Sequence, residues 1–167
     1  MSPFRPDLVD CWVFRVSPDA APPAAEILLL RRSPGRILPG LWQCVSGSLE
    51  ADETVTAGAL RELREETGFG PDRIEGFYDL DQVNQFHEPS FRAIVTAAIF
   101  AVRVPWGAEP VLSHEHDSMR WLSAAAALDL AIWPAYRESI RRISENLLDP
   151  GRAIWFELTL DGDRARR

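Results

Sequence analysis

Gly47-Ser-Leu-Glu-Ala-Asp-Glu53-Thr-Val-Thr-Ala-Gly58-Ala-Leu-Arg61-Glu62-Leu63-Arg64-Glu65-Glu66-Thr67-Gly68-Phe69 decides what this chain is. A glycine opens the stretch, and Asp52 or Thr54 offers a side-chain oxygen that caps a helix. Ala57, Ala59, Leu60, Arg61, Glu62 and Leu63 favour helix, and Gly68 supplies a left-handed stop. At about 100° per residue, Thr56, Leu60, Leu63 and Thr67 share one face. Glu62, Glu65 and Glu66 gather on the other side at i, i+3 and i+4, with the bare Gly58 one turn earlier.

Carboxylates on one helical stripe repel, each i, i+4 pair by a few tenths of a kcal/mol in water. A hard divalent cation removes that penalty: Mg²⁺ takes a few carboxylate oxygens and leaves other positions for water or substrate phosphate. The plain alternative is a solvated acidic face, with Arg61 and Arg64 supplying helical ion pairs.

Spacing separates the two. Gly47, five residues, Glu53, seven residues, then Arg61-Glu62-Leu63-x-Glu65-Glu66-x-Gly68-Phe69 is a pattern with seven single-residue positions. At roughly 6–7% usage per residue type, chance yields it at a given start on the order of once in a hundred million. The pattern resembles the signature of the Nudix hydrolases at every specified position, with the likeness spanning about residues 8–147. The resemblance implies an α/β/α sandwich with a mixed β-sheet, a helix that binds Mg²⁺ (or Mn²⁺ in its place), and hydrolysis of a nucleoside-diphosphate-linked or nucleotide-like triphosphate substrate. By position it implies Glu62, Glu65 and Glu66 as metal ligands, with the backbone carbonyl of Ser46 as another. It further implies that Glu53 and Arg61 form a pair fixing loop to helix, with Gly47 and Gly68 structural.

Composition is compatible with this. The 167 residues suit one domain, 1–167, with a core over about 8–148 and a C-terminal strand over about 153–160. A formal charge of -7 argues against a nucleic-acid partner, although metal ions let an acidic protein handle phosphates. Cys11 and Cys44 are too few for a disulfide framework and are expected as buried free thiols in a reducing cytoplasm. Residues 1–10 hold no apolar signal core, and the longest apolar run, 93–102, is too short to span a bilayer, so no membrane association is expected.

Strand formers fill residues 8–16 and 26–32, and a strand over 41–49 leads into the helix. Residues 73–81 read as a strand and 82–90 as a loop. Residues 91–104 read as the longest strand, apolar on both faces and therefore central. A polar loop at 113–117 precedes a short strand at 119–122. Ser123 caps a helix over 124–130, and Pro134 begins a last helix to about Leu147 with a core stripe of Tyr136, Ile140, Ile143 and Leu147. Pro150-Gly151 stops it. Residues 153–160 alternate and predict a final strand that closes a sheet edge or pairs across a homodimer. Residues 164–167 are expected to fray.

The chemistry implied is attack of water on phosphorus with pyrophosphate leaving, assisted by Arg61 and the carboxylates. Family members differ in the base, which is a signature glutamate in some and a loop glutamate in others. Here Glu62 and Glu115 are the two candidates, Glu115 being equally readable as a surface loop residue. His114 and His116, at i, i+2 without further ligands, are expected at the surface. Arg31 and Arg32 suit phosphate, while Trp42, Phe86, His87 and Phe91 are candidates for stacking on a base or pterin ring, or for core and rim packing. Trp12, Trp121 and Trp155 are assigned to the core or its edge.

Where many family members have Pro-Gly-Gly, this chain has Val45-Ser46-Gly47-Ser48. Residues 41–50, Glu115-His116 followed by Trp121-Leu122, and Trp133-Pro134 with Arg137 and Ile140 resemble the dihydroneopterin triphosphate pyrophosphatases. Against the enzyme stands a catalytically silent module that senses a nucleotide or binds a partner. Such modules typically lose signature glutamates, and none is missing here. A messenger-RNA decapping role is disfavoured by the acidic balance.

Overall fold

Strand β1 (Leu8–Val16) is apolar on both faces, so it lies inside a sheet rather than at its edge. The computed structural model describes residues 5–165. Around β1 assemble β2 (Ala25–Arg32), β3 (Trp42–Gln43), β4 (Val45–Ser48), β5 (Gly76–Glu88), β6 (Ala93–Arg103), β7 (His116–Ser123) and β8 (Glu157–Leu158). The order is β3-β2-β1-β6-β5-β8, with β4 paired to β1 and β7 to β2. β1 and β6 run parallel and the other pairs antiparallel, which makes the sheet mixed.

Helix α1 (Val55–Thr67) covers one face, where Ala59 and Leu63 join Val9, Cys11, Val13, Leu28 and Leu30. α2 (Ala124–Leu130) and α3 (Pro134–Arg142) cover the other, where Ala127 and Ile140 meet Trp12, Phe14, Ile27 and Leu29. The result is an α/β/α sandwich. Cys11 and Cys44 are buried free thiols. No helix among the described residues is long and apolar enough to cross a membrane.

Several boundaries differ from those read in the sequence. The strand over 41–49 breaks at Cys44, because β3 pairs with β2 while β4 pairs with β1. Residues 71–73 form a 3₁₀ turn, and β5 continues through the expected loop to Glu88. At 13 residues β5 is longer than the 11-residue β6, although β6 is central. A bulge between Asp79 and Val83, with Asp81 at φ 51°, lets β5 bend without leaving the sheet.

Helix α3 runs into a π-helical turn, Ile143–Leu147, which keeps Ile140, Ile143 and Leu147 buried. Pro150 then starts α4 (Pro150–Ala153) instead of ending a helix, because the Asp149 side chain caps the Gly151 amide at 2.8 Å. That turn consumes part of the expected final strand. Only Glu157–Leu158 pairs, against Tyr78 and Phe77 at the free edge of β5. Trp155, expected in the core or at its edge, is 63% exposed. Arg164 is tied down by Asp79 at 2.9 Å rather than frayed, and residues 166–167 lie outside the described residues.

Candidate active site

Helix α1 begins where the Thr54 hydroxyl accepts from the Ala57 amide, 3.2 Å away, and ends on Gly68 at φ 73°. Burial of Ala59 and Leu63 fixes its rotation. Glu62 and Glu66 are thereby aimed at β4. The Glu62 carboxylate occupies the space above Gly47 that a Cβ would fill. A Cβ at Gly58 would collide with Leu49 and crowd Glu53, so that glycine lets the signature loop close on the helix.

Arg61 is the hub. It reaches Glu53 Oε1 at 2.7 Å and Oε2 at 3.1 Å, the Ser48 carbonyl at 2.9 Å, Glu62 at 2.7 Å and Glu65 at 3.4 Å. One planar fork thus joins the loop, the helix and two of the acidic side chains. The Arg61 hydrogen bond holds Glu53 below its usual range. Burial pushes Glu62 up, with Arg61 opposing it.

Glu66 is 3% exposed, accepts the Ser46 amide on Oε1 at 3.4 Å, and has no partner for Oε2. Burial raises its pKa to about 9, and the Glu62 and Glu115 charges add to the shift. His116 Nδ1, equally unpartnered, faces Oε2 at 3.7 Å. Burial lowers the His116 pKa to about 4, so without a cation this contact is not an ion pair at neutral pH. His116 was expected at the surface and is instead 4% exposed, because β7 starts at His116 and turns its ring inward opposite Arg32. His114 is exposed as expected and contacts Arg36.

Glu65 is exposed on the same helix, and Glu115 is held 3.2 Å from Arg36. Among the described residues, no three metal-capable side chains stand close enough to form a preformed cluster. The donor set nevertheless fits a hard divalent cation. A buried carboxylate with an orphaned oxygen, beside the half-buried Glu62 carboxylate and a strand backbone, is a site where a cation would replace a proton.

The substrate candidates are more dispersed. Arg31 pairs with Asp117 at 2.7 Å, while Arg32 donates to the Ile37 carbonyl at 2.6 Å and to Gln43 at 3.4 Å. The guanidinium groups of Arg120 and Arg31 lie 4.9 and 5.9 Å from the Trp42 ring centre. Phe86 lies opposite Val95, which places it on the sheet face of Trp12 and Ile99, away from α1. Trp42 packs against that same face.

A further buried carboxylate, Asp10, absent from the candidates named above, faces Ser46 across the β1–β4 ladder. Burial raises its pKa to about 6, against a hydrogen bond with the Ser46 side chain. The available signal was a lone carboxylate inside the otherwise apolar strand 8–14.

A family model described as a NUDIX domain matches residues 11–143. The chain is 38% identical over 122 residues to an octanoyltransferase of Myxococcus xanthus, covering 72% of this chain but only 32% of that protein. It thus spans about a third of the length of that relative. It is 33% identical over 110 residues to a CTP pyrophosphohydrolase of Escherichia coli, covering 66% of this chain and 76% of that protein. A dihydroneopterin triphosphate diphosphatase of Haemophilus influenzae is 30% identical over 131 residues, covering 73% and 80%. Among solved structures, the dihydroneopterin triphosphate pyrophosphohydrolase of E. coli superposes with a TM-score of 0.64. It is 26% identical and covers 80% of this chain and 92% of that one.

Proposed function

The chain belongs to the Nudix family, and from that premise we propose that it is a Mg²⁺-dependent pyrophosphohydrolase of a small nucleotide-like triphosphate. The observation that carries this reading is Glu66, a buried carboxylate with an unpartnered oxygen beside Glu62 and the Ser46 backbone. Glu62, Glu65, Glu66 and the Ser46 carbonyl would hold the cation. When bound, the cation supplies charge neutralisation on phosphate oxygens and activation of the attacking water.

The remaining work falls to this chain's own groups. Water adds to phosphorus, the bridging P–O bond breaks, and pyrophosphate leaves. A carboxylate takes the water's proton, and it must first be free of its guanidinium partner. The Glu62 side chain is 13% exposed and held 2.7 Å from Arg61, whereas Glu115 is 35% exposed and 3.2 Å from Arg36. The looser, wetter pair is released at lower cost. Glu115 is therefore the base and Glu62 a ligand. Arg61, by holding Glu53, Ser48 and Glu62 together, positions the loop against the helix.

Dihydroneopterin triphosphate is the first substrate to test, since the resemblance over residues 41–50 and around 115–122 is supported by two relatives named for it. CTP is the competitor, on the E. coli relative. The experiment measures phosphate and pyrophosphate release with Mg²⁺ from dihydroneopterin triphosphate, CTP, other nucleoside triphosphates, ADP-ribose and diadenosine polyphosphates. Pyrophosphate from the pterin alone supports the reading. Nucleotide binding without turnover across the panel would favour a sensing module, and full activity in Glu66→Gln would remove the metal assignment.

A further inference from the structure

Two buried polar side chains, Gln43 and His116, and the half-buried Arg32 stand in a row behind Glu66. Arg32 Nη1 donates to Gln43 Oε1 at 3.4 Å, Gln43 Nε2 lies 3.4 Å from His116 Nε2, and His116 Nδ1 lies 3.7 Å from Glu66 Oε2. Gln43 and His116 are each 4% exposed. Arg32 comes from β2, Gln43 from β3 and His116 from β7, so with Glu66 on α1 the row joins four elements.

Each contact orients the next. Arg32 has only N–H donors, so it selects the carbonyl oxygen of Gln43 and turns the amide NH₂ toward His116. An NH₂ facing His116 Nε2 needs an acceptor there, which leaves the ring proton on Nδ1. Nδ1–H then points at the oxygen of Glu66 that has no other partner. At 3.7 Å the two atoms sit just beyond hydrogen-bond length and too close for an intervening water. A cation beside Glu66 would keep the carboxylate ionised and so strengthen it as an acceptor for that N–H.

We propose that His116 is a positioning residue for the Glu66 carboxylate, donating Nδ1–H to Oε2 in a tautomer imposed by Gln43 and Arg32. This rests on the reading of Glu66 as a cation ligand. The Ser46 amide takes one lone pair of Oε1 and His116 takes one of Oε2. The remaining lone pairs of the carboxylate stay open to the cation. The same geometry excludes His116 as a ligand through Nδ1, since the Gln43 donor denies that nitrogen a free lone pair. Carboxylate–imidazole support of this kind typically contributes 10–100-fold to metal affinity.

Two measurements test it, and neither reads turnover. An imidazole ¹⁵N–¹H correlation spectrum of the Mg²⁺-loaded protein, in which Glu66 is ionised, is expected to show the His116 proton on Nδ1, and a proton on Nε2 would overturn the proposal. Mn²⁺ binding without nucleotide, followed by electron paramagnetic resonance, is expected to weaken about 10–100-fold in His116→Ala. Most of it should return in His116→Asn, whose amide nitrogen occupies nearly the Nδ1 position. Wild-type affinity in His116→Ala overturns the positioning role alone, whereas a wild-type protein that binds no Mn²⁺ overturns the Glu66 reading beneath it.

Discussion

Glu62 lies directly over Gly47, its carboxylate filling the volume that any side chain at 47 would need. The Gly47 backbone is not in the left-handed region, so alanine there is unstrained and meets only the far end of a flexible side chain. Gly47→Ala is therefore expected to fold with a near-normal melting temperature while displacing the carboxylate. A misplacement of about 1 Å at a reacting group costs about 10²-fold, which steady-state kinetics with Mg²⁺ will read as a loss in kcat. Unchanged kcat would mean that Glu62 is not used where it is seen.

Arg61 makes its contacts as a planar fork, two of them to one Glu53 carboxylate. Lysine keeps the charge but offers a single nitrogen, so Arg61→Lys releases the loop from the helix. The side chains of Arg61 and Glu53 are only 23% and 14% exposed, and the expected loss is about 2 kcal/mol in urea unfolding. An unchanged midpoint would show that the loop is held by other contacts.

Helix α1 was legible in the sequence because its apolar period, its Thr54 cap and its Gly68 stop agree locally, and one helical stripe necessarily gathers Glu62 and Glu66. The buried strands β1 and β2 were legible from their continuous apolar runs. The far half of β5 was not, because Asn84 and Gln85 look like loop residues while their backbones pair with β6. Nor was the inward turn of His116, which follows from a register shift at Arg31/Arg32 between strands far apart in sequence. Local chemistry writes the helix, and tertiary pairing decides the rest.

Glu66 gives the metal-free protein a pH dependence of definite sign. An unfolded glutamate ionises near 4.5, while the folded one keeps its proton to about 9, so between these values folding takes up a proton. Its contribution is full below pH 4.5 and is lost as pH rises through about 9. His116, shifted the other way to about 4, acts only below its ordinary 6.5. Between pH 7 and 9 stability without metal should therefore fall, by at most about 1.4 kcal/mol per pH unit. Saturating Mg²⁺ should flatten the slope, because the cation takes the proton's place. Melting curves at pH 7, 8 and 9 with and without Mg²⁺ check this, and a metal-free stability that rises with pH would exclude it.

Arg15 separates stability from activity. Its guanidinium lies between the rings of Trp121 and Trp106, 4.1 and 4.8 Å from their centres, and pairs with Glu26 at 2.7 Å and Glu109 at 3.1 Å. None of these partners belongs to the proposed site. Arg15→Ala is expected to cost about 2 kcal/mol through lost stacking and unpaired carboxylates, with kcat/KM at 25 °C unchanged. A selective fall in kcat/KM would tie this cluster to substrate binding.

Residues 144–165 lie beyond the family match, yet they brace the signature helix. Leu158 is buried in the cluster that holds Ala59 and Leu63, and the turn after it seats Gly162 against Thr56 in the first turn of α1. Gly162 has φ 91°, and a Cβ there would overlap the Thr56 hydroxyl, which itself lies 3.3 Å from the capping Thr54 hydroxyl. Gly162→Val should therefore strain the turn and press on the helix cap together, at a cost of about 2 kcal/mol. Leu158→Ala should cost a similar amount, about 2 kcal/mol, by opening a cavity beside its strand partner Phe77 in that same cluster. Both substitutions act on the start and the apolar face of α1, so amide hydrogen exchange should quicken first near Val55, well before Glu66. Mn²⁺ affinity below the melting transition should stay near that of the wild type. A Gly162→Val protein with unaltered melting temperature and exchange would show that this turn does not bear on the helix.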